Sequence, residues 1–179
     1  MIDWRWKELD ILESQERWNE AKSFLIKNWK QHPRDLKVVI RLGFFCWYVL
    51  VEDGWLGIKD VDFNELETVL YEVTQFGLAN FMTNEDFLWC FGYMISLFPH
   101  YFGDCEHWEE KGISMLKRAY ELCPNEPVYR YSYLGNSPNT QEKLKEEFYQ
   151  VQNVLEDRFQ GEGVLSQYFK SVWHSLHEN

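Results

Sequence analysis

His100, Asp104, Cys105 and His107 fall within eight residues of one another, and Cys90 is nearby in the chain. Imidazole, thiolate and carboxylate are the side chains that hold zinc. The spacing matches none of the paired-ligand patterns from which a zinc site is read. A turn followed by a helix start accounts for the same residues, with Asp104 as the cap, Cys105 as a small buried residue and His107 on the first helical turn. Nucleophilic chemistry has less support. There is no G-x-S-x-G elbow and no cysteine in a recognisable local signature. His32, His174 and His177 fall at helix ends or at the C-terminus. Neither a Walker A loop nor G-x-G-x-x-G is present. Glu109-Glu110 and Glu146-Glu147 are carboxylate pairs of the kind that serves in acid–base catalysis, but neighbours on a helix diverge by about 100° and do not share a face. The expectation is a chain without catalytic residues, metal or cofactor.

The elements that would position any site read as helices. Trp6, Leu9 and Leu12 or Glu13 recur at helical spacing over residues 4–13, and Trp18, Ala21, Leu25 and Trp29 form one stripe of a helix over 18–31. Pro33 stops that helix. Asp35 is placed to cap the next, which should run to about Glu52 and is apolar nearly all round after Arg41, as a central helix would be. Gly54 and Gly57 mark a break over 52–61 that carries Trp55 and Leu56. Asp62 begins a helix with the stripe Leu66, Val69, Leu70 and Val73, and Gly77 should end it. Thr83 or Asn84 caps a helix through Phe98, closed by Pro99. Asp104 caps another to about Leu122, broken by Pro124 and Pro127. A short helix or irregular aromatic segment over 127–134, a loop over 135–139, a helix from about Thr140 to Phe159 and a last helix from Val164 to about Leu176 complete the chain. No stretch alternates with a period of two. The fold class expected is all-α, a single domain over 1–179 with eight or nine helices.

Charge is unevenly spread. The chain carries 29 acids against 18 Lys and Arg, a formal charge of −11. Eleven of the acids lie in Asp60–Glu110, a stretch with no Lys or Arg, and the remaining 18 balance the basic residues elsewhere. The stretch also carries twelve aromatics, too many for a disordered acidic segment. It should fold with its rings inside and its acids outside. Such a surface repels phosphates, which argues against nucleic acid and anionic membrane, and attracts a basic protein. The longest apolar run, Leu42–Val51, is far short of the roughly 20 residues a spanning helix needs. No secretory leader is visible at Met1–Lys7, and the expected location is the cytoplasm. The cysteines Cys46, Cys90, Cys105 and Cys123 form no CxxC pair and are expected free.

Two helix endings are alike. Counting back from Pro33, Asn28, Leu25 and Ala21 lie five, eight and twelve residues away; counting back from Pro124, Ala119, Leu116 and Gly112 do the same. A small residue for close helix approach, a leucine and a closing proline resemble the second helix of a tetratricopeptide repeat. The resemblance covers residues 4–52 and 85–134, and the 91 residues between the prolines are not a whole number of 34-residue units. It implies an irregular TPR-like stack of antiparallel hairpins that binds protein on its surface.

In size and acidity, and in its want of catalytic motifs, the chain is also similar to toxin-neutralising immunity proteins, whose targets are often basic nucleases. The partner-facing candidates are Trp55, as an aromatic anchor, and Asp60, Asp62, Glu65, Glu67, Glu85, Asp86, Glu106, Glu109 and Glu110. The alternative expectation is a TPR-like adaptor holding a peptide segment of a cellular partner. Some acids already have structural duties at helix N-termini, where carboxylates are favoured.

Overall fold

The computed structural model describes residues 2–136 and 141–175, and it is all-helical. The helices are α1 (Lys7–Ser14), α2 (Trp18–Gln31), α3 (Leu36–Leu56), α4 (Phe63–Asn80), α5 (Glu85–Leu97), α6 (Cys105–Leu122), α7 (Pro127–Gly135), α8 (Gln141–Arg158) and α9 (Val164–Ser175), with a 3₁₀ turn at Pro99–Tyr101. The expected start of α8 at Thr140 and end of α9 at Leu176 lie outside the described residues.

Polar side chains start the helices where the sequence places them. Asp35 accepts from the backbone N–H groups of Lys37 and Val38, Asn84 from Phe87, and Asp104 from His107. Each supplies a partner to a first-turn donor that has none within the helix. Two boundaries differ from expectation. Helix α3 continues past Glu52 to Leu56, because Gly54 tolerates the helical conformation and the left-handed stop is Gly57, with φ 58°. Gly77 does not end α4, which runs three residues further. A Cβ there would stand 2.2 Å from the Phe87 ring, so this glycine admits α5.

Consecutive helices pair: α1 with α2, α3 with α4, α5 with α6, and α7 with α8. Residues Val38 to Trp47 of α3 and Asp86 to Gly92 of α5 are buried without interruption, so these two stretches are enclosed on every side. Phe91 of α5 fills the notch at Gly43 of α3. The α5–α6 pair is closer still. A Cβ on Gly112 would stand 2.7 Å from the Ser96 nitrogen and 3.1 Å from the Gly92 carbonyl, so the two backbones touch at Gly92 and Gly112. That is the role the small residue at 112 suggests.

Helix α9 lies across the enclosed pair. Its stripe Leu165, Phe169 and Trp173 is buried. Phe169 sits 4.7 Å from Trp89 of α5 and 5.5 Å from Phe44 of α3 between ring centroids. Tyr168 meets Phe44 and Trp47 edge-on, both at 5.5 Å. The buried apolar side chains of α1 to α9 form one connected cluster. Among the described residues no helix is long and apolar enough to cross a membrane.

Candidate functional site

The starts of α4 and α6 share one end of the bundle. Asp62 caps α4, accepting from Asn64 and Glu65 backbone N–H at 3.0 and 3.2 Å. Tyr101 donates its hydroxyl to the Leu50 carbonyl at 2.9 Å, which holds the α5–α6 connection beside the C-terminal part of α3. Burial raises the Tyr101 pKa, and the negative charges of Glu67 and Asp53 raise it further, so Glu67 of α4 faces this connection. Asp60, Asp62, Glu67, Glu106, Glu109 and Glu110 are all exposed on the approach to α4 and the first two turns of α4 and α6. None is in an ion pair with Lys or Arg among the described residues.

The remaining candidates part from this group. Glu65 is ion-paired with Lys22, a buried lysine of α2, and so holds two helices together. Glu85 is half-buried on the first turn of α5, at the opposite end of the α3–α4 and α5–α6 pairs. Asp86 is not on the surface. It is 4% exposed, its Oδ1 accepting from Arg158 Nη2 at 2.7 Å and from the Tyr129 hydroxyl at 2.6 Å. The reason is its place in the enclosed stretch Asp86 to Gly92 of α5, where a carboxylate persists only with a buried cation. Trp55 belongs to the last turn of α3, and its side chain lies outside the described residues.

Two buried ionic clusters tie distant segments. In the first, the Arg158 guanidinium of α8 also meets Glu126 at 3.3 Å and stands 4.8 Å from the centroid of Tyr129, joining α5, α7 and α8. In the second, Arg41 of α3 is 1% exposed and donates to Asp10 at 3.2 Å, Glu13 at 2.9 Å and the Trp4 carbonyl at 3.0 Å. Glu13 Oε2 also accepts from the backbone N–H of Val164 at 2.8 Å, so α1 caps α9 across the chain. Gly163 is required here, since a Cβ would stand 2.3 Å from Asp10 Oδ1 and 2.5 Å from Arg41 Nη2.

Burial raises the Glu13 pKa above its ordinary 4.5, with the Asp10 charge adding and Arg41 and the Val164 N–H opposing. Two carboxylates share one guanidinium, so a proton is favoured there. A raised folded-state pKa gives stability that is present below pH 4.5 and lost as the pH climbs through the folded value. Glu13→Gln should remove that loss. Urea midpoints of wild type and variant, measured from pH 4.5 upward, are expected to diverge, the wild type falling relative to the variant. Parallel curves would refute the assignment.

The His/Asp/Cys group is dispersed into structural roles. Asp104 caps α6, the His107 backbone N–H donates to that cap, and the His100 ring packs tilted against Tyr101 with centroids 4.3 Å apart. Cys105 is exposed, contrary to the expectation of a small buried residue, because it opens α6 on its outer side. Among the described residues no three His, Cys, Asp or Glu side chains are arranged to hold a metal ion. All four cysteines are free, and burial raises the thiol pKa of Cys46 and Cys90.

No family model, curated protein or solved structure matches the chain. Sequence reasoning missed Glu13, Arg41 and Arg158. The signal for two of them was present: Glu13 stands on the apolar stripe of α1, and Arg41 interrupts the long apolar run of α3. A charge on a buried face calls for an opposite charge on the facing element.

Proposed function

We propose that the chain is a non-catalytic binding module for a basic protein, in its sharper form an immunity protein that neutralises a toxin domain such as a nuclease. The observation that carries this reading is the group Asp60, Asp62, Glu67, Glu106, Glu109 and Glu110, six exposed acids at one end of the bundle without ion-pair partners among the described residues. Such a field accelerates encounter with a basic surface and disfavours acidic competitors. A TPR-like arrangement of hairpins belongs to the same proposal. The adaptor reading has less support, because α9 lies over α3 and α5, on the face where a peptide groove would be sought.

The test is a neutralisation assay. The product of the reading frame beside this gene is expected to arrest growth when expressed alone, and co-expression of this chain should restore growth. Changing Glu67, Glu106, Glu109 and Glu110 together to lysine should abolish rescue while leaving the melting temperature near wild type, since exposed substitutions away from structural contacts shift stability by only about 0.5 kcal/mol each. Glu65 is left intact because a lysine there would face the buried Lys22. Rescue by the reversed variant, or no arrest to rescue, would defeat the proposal.

A further inference from the structure

A cleft of about 570 Å³ opens between α1, α3 and α9, within the ordinary size of a small-ligand site. Three carboxylates line it, Glu13 from α1, Glu52 from α3 and Glu162 from the residues leading into α9. No Lys or Arg does so among the described residues. Glu13 is the deep one, its side chain 1% exposed. Its Oε2 is taken by Arg41 and the Val164 N–H, but its Oε1 is buried with no hydrogen-bond partner. Leaving a carboxyl oxygen dry and unpaired is costly, and a cation beside it would restore the charged form of Glu13 that burial disfavours.

Two aromatic rings, Tyr48 and Tyr168, stand among the remaining lining residues, beside Val164 and Val172. Tyr48 and Tyr168 meet at 82° with centroids 6.1 Å apart, two sides of a box. Tyr168 is held in place by the hydroxyl contact with Tyr93 at 3.2 Å. Burial raises the hydroxyl pKa of both lining tyrosines and the Glu52 charge adds to it, which places Glu52 near both rings. Ring faces attract cations, and carboxylates give the strong charge-assisted hydrogen bonds that orient them.

We infer that this cleft binds an organic cation, an alkylguanidinium or alkylammonium group, with its charge among Glu13, Glu52 and Glu162 and its stem against Tyr48 and Tyr168. The group comes either from an arginine or lysine side chain of a protein or from a free small amine. The cleft uses none of the acids at the starts of α4 and α6, so it stands whether or not those acids bind a toxin.

Calorimetric titration of the full chain tests it. The probe n-butylguanidinium is expected to bind saturably at one site, and its uncharged isostere n-butylurea is not. Glu52→Gln combined with Glu162→Gln, neither residue buried, should weaken binding at least about tenfold, the loss expected for one charge-assisted hydrogen bond. Ser171→Lys, which tethers an ammonium at the cleft, should compete with the probe and weaken binding as well. Wild-type melting temperatures in these variants confirm an intact fold. A short peptide carrying one arginine is titrated alongside spermidine: tighter binding of the peptide identifies a side-chain source, and tighter binding of spermidine a free amine. Absence of saturable binding by every cation, equal binding of butylurea, or undiminished affinity in the Glu52/Glu162 variant would overturn the inference.

Discussion

Replacing Arg158 with methionine is expected to destabilise the protein by about 3–5 kcal/mol, the cost of leaving a buried charge without its partner. Arg158 is 3% exposed, and it supplies the positive charge for Asp86 at 2.7 Å and for Glu126 at 3.3 Å. Methionine fills much of the volume, so the loss reads the charge rather than a cavity. Among the described residues Asp86 would keep the Tyr129 hydroxyl alone as a side-chain partner. Urea unfolding should show a lower midpoint at unchanged slope. Adding Asp86→Asn should recover part of the loss, because the stranded carboxylate is then removed; coupling of about 1 kcal/mol or more between the two sites is expected. A single-variant loss below about 1 kcal/mol would mean that the pair contributes little.

Phe169→Ala should cost a similar amount, about 3–5 kcal/mol, as a large aromatic deleted from a closed core. Its ring has no exposed surface and lies 4.7 Å from Trp89, 5.1 Å from Tyr93 and 5.1 Å from Phe159. The result bears on the status of α9. If α9 were an appendage, its loosening would leave the midpoint of the remaining helices unchanged. The packing predicts one cooperative transition, shifted as a whole, in both tryptophan fluorescence and far-ultraviolet circular dichroism. Two separated transitions, or a loss below about 1 kcal/mol, would make α9 a detachable segment. Tyr71→Ala, at a residue 56% exposed on α4, is the control and should stay within about 0.5 kcal/mol of wild type.

The two variants separate local from tertiary information. Helix starts at Asp35, Asp62, Asn84 and Asp104, the stops near Pro33 and Pro99, and the apolar stripes of α2, α4 and α6 were legible in the chain. Caps and stripes depend on residues three or four positions apart. The close approach at Gly112 was legible for the same reason, as a small residue on an otherwise apolar face. The acidic imbalance of Asp60–Glu110 was likewise plain from composition.

Which of those acids remain free was a tertiary matter. Asp86 and Glu85 are neighbours in sequence, yet one is enclosed with Arg158, 72 residues away, and the other is half-buried beside solvent. Glu65 and Glu67 differ in the same way, one paired to Lys22 and the other without a described ion pair. The cleft of Glu13, Glu52 and Glu162 draws on three separate elements, so no single stretch could announce it. The helical class and the acidic middle followed from the chain alone, because helix formation and net charge are local or additive properties. Which charges are neutralised and which are presented depended on helix packing, because a carboxylate's partner comes from whichever helix lies against it.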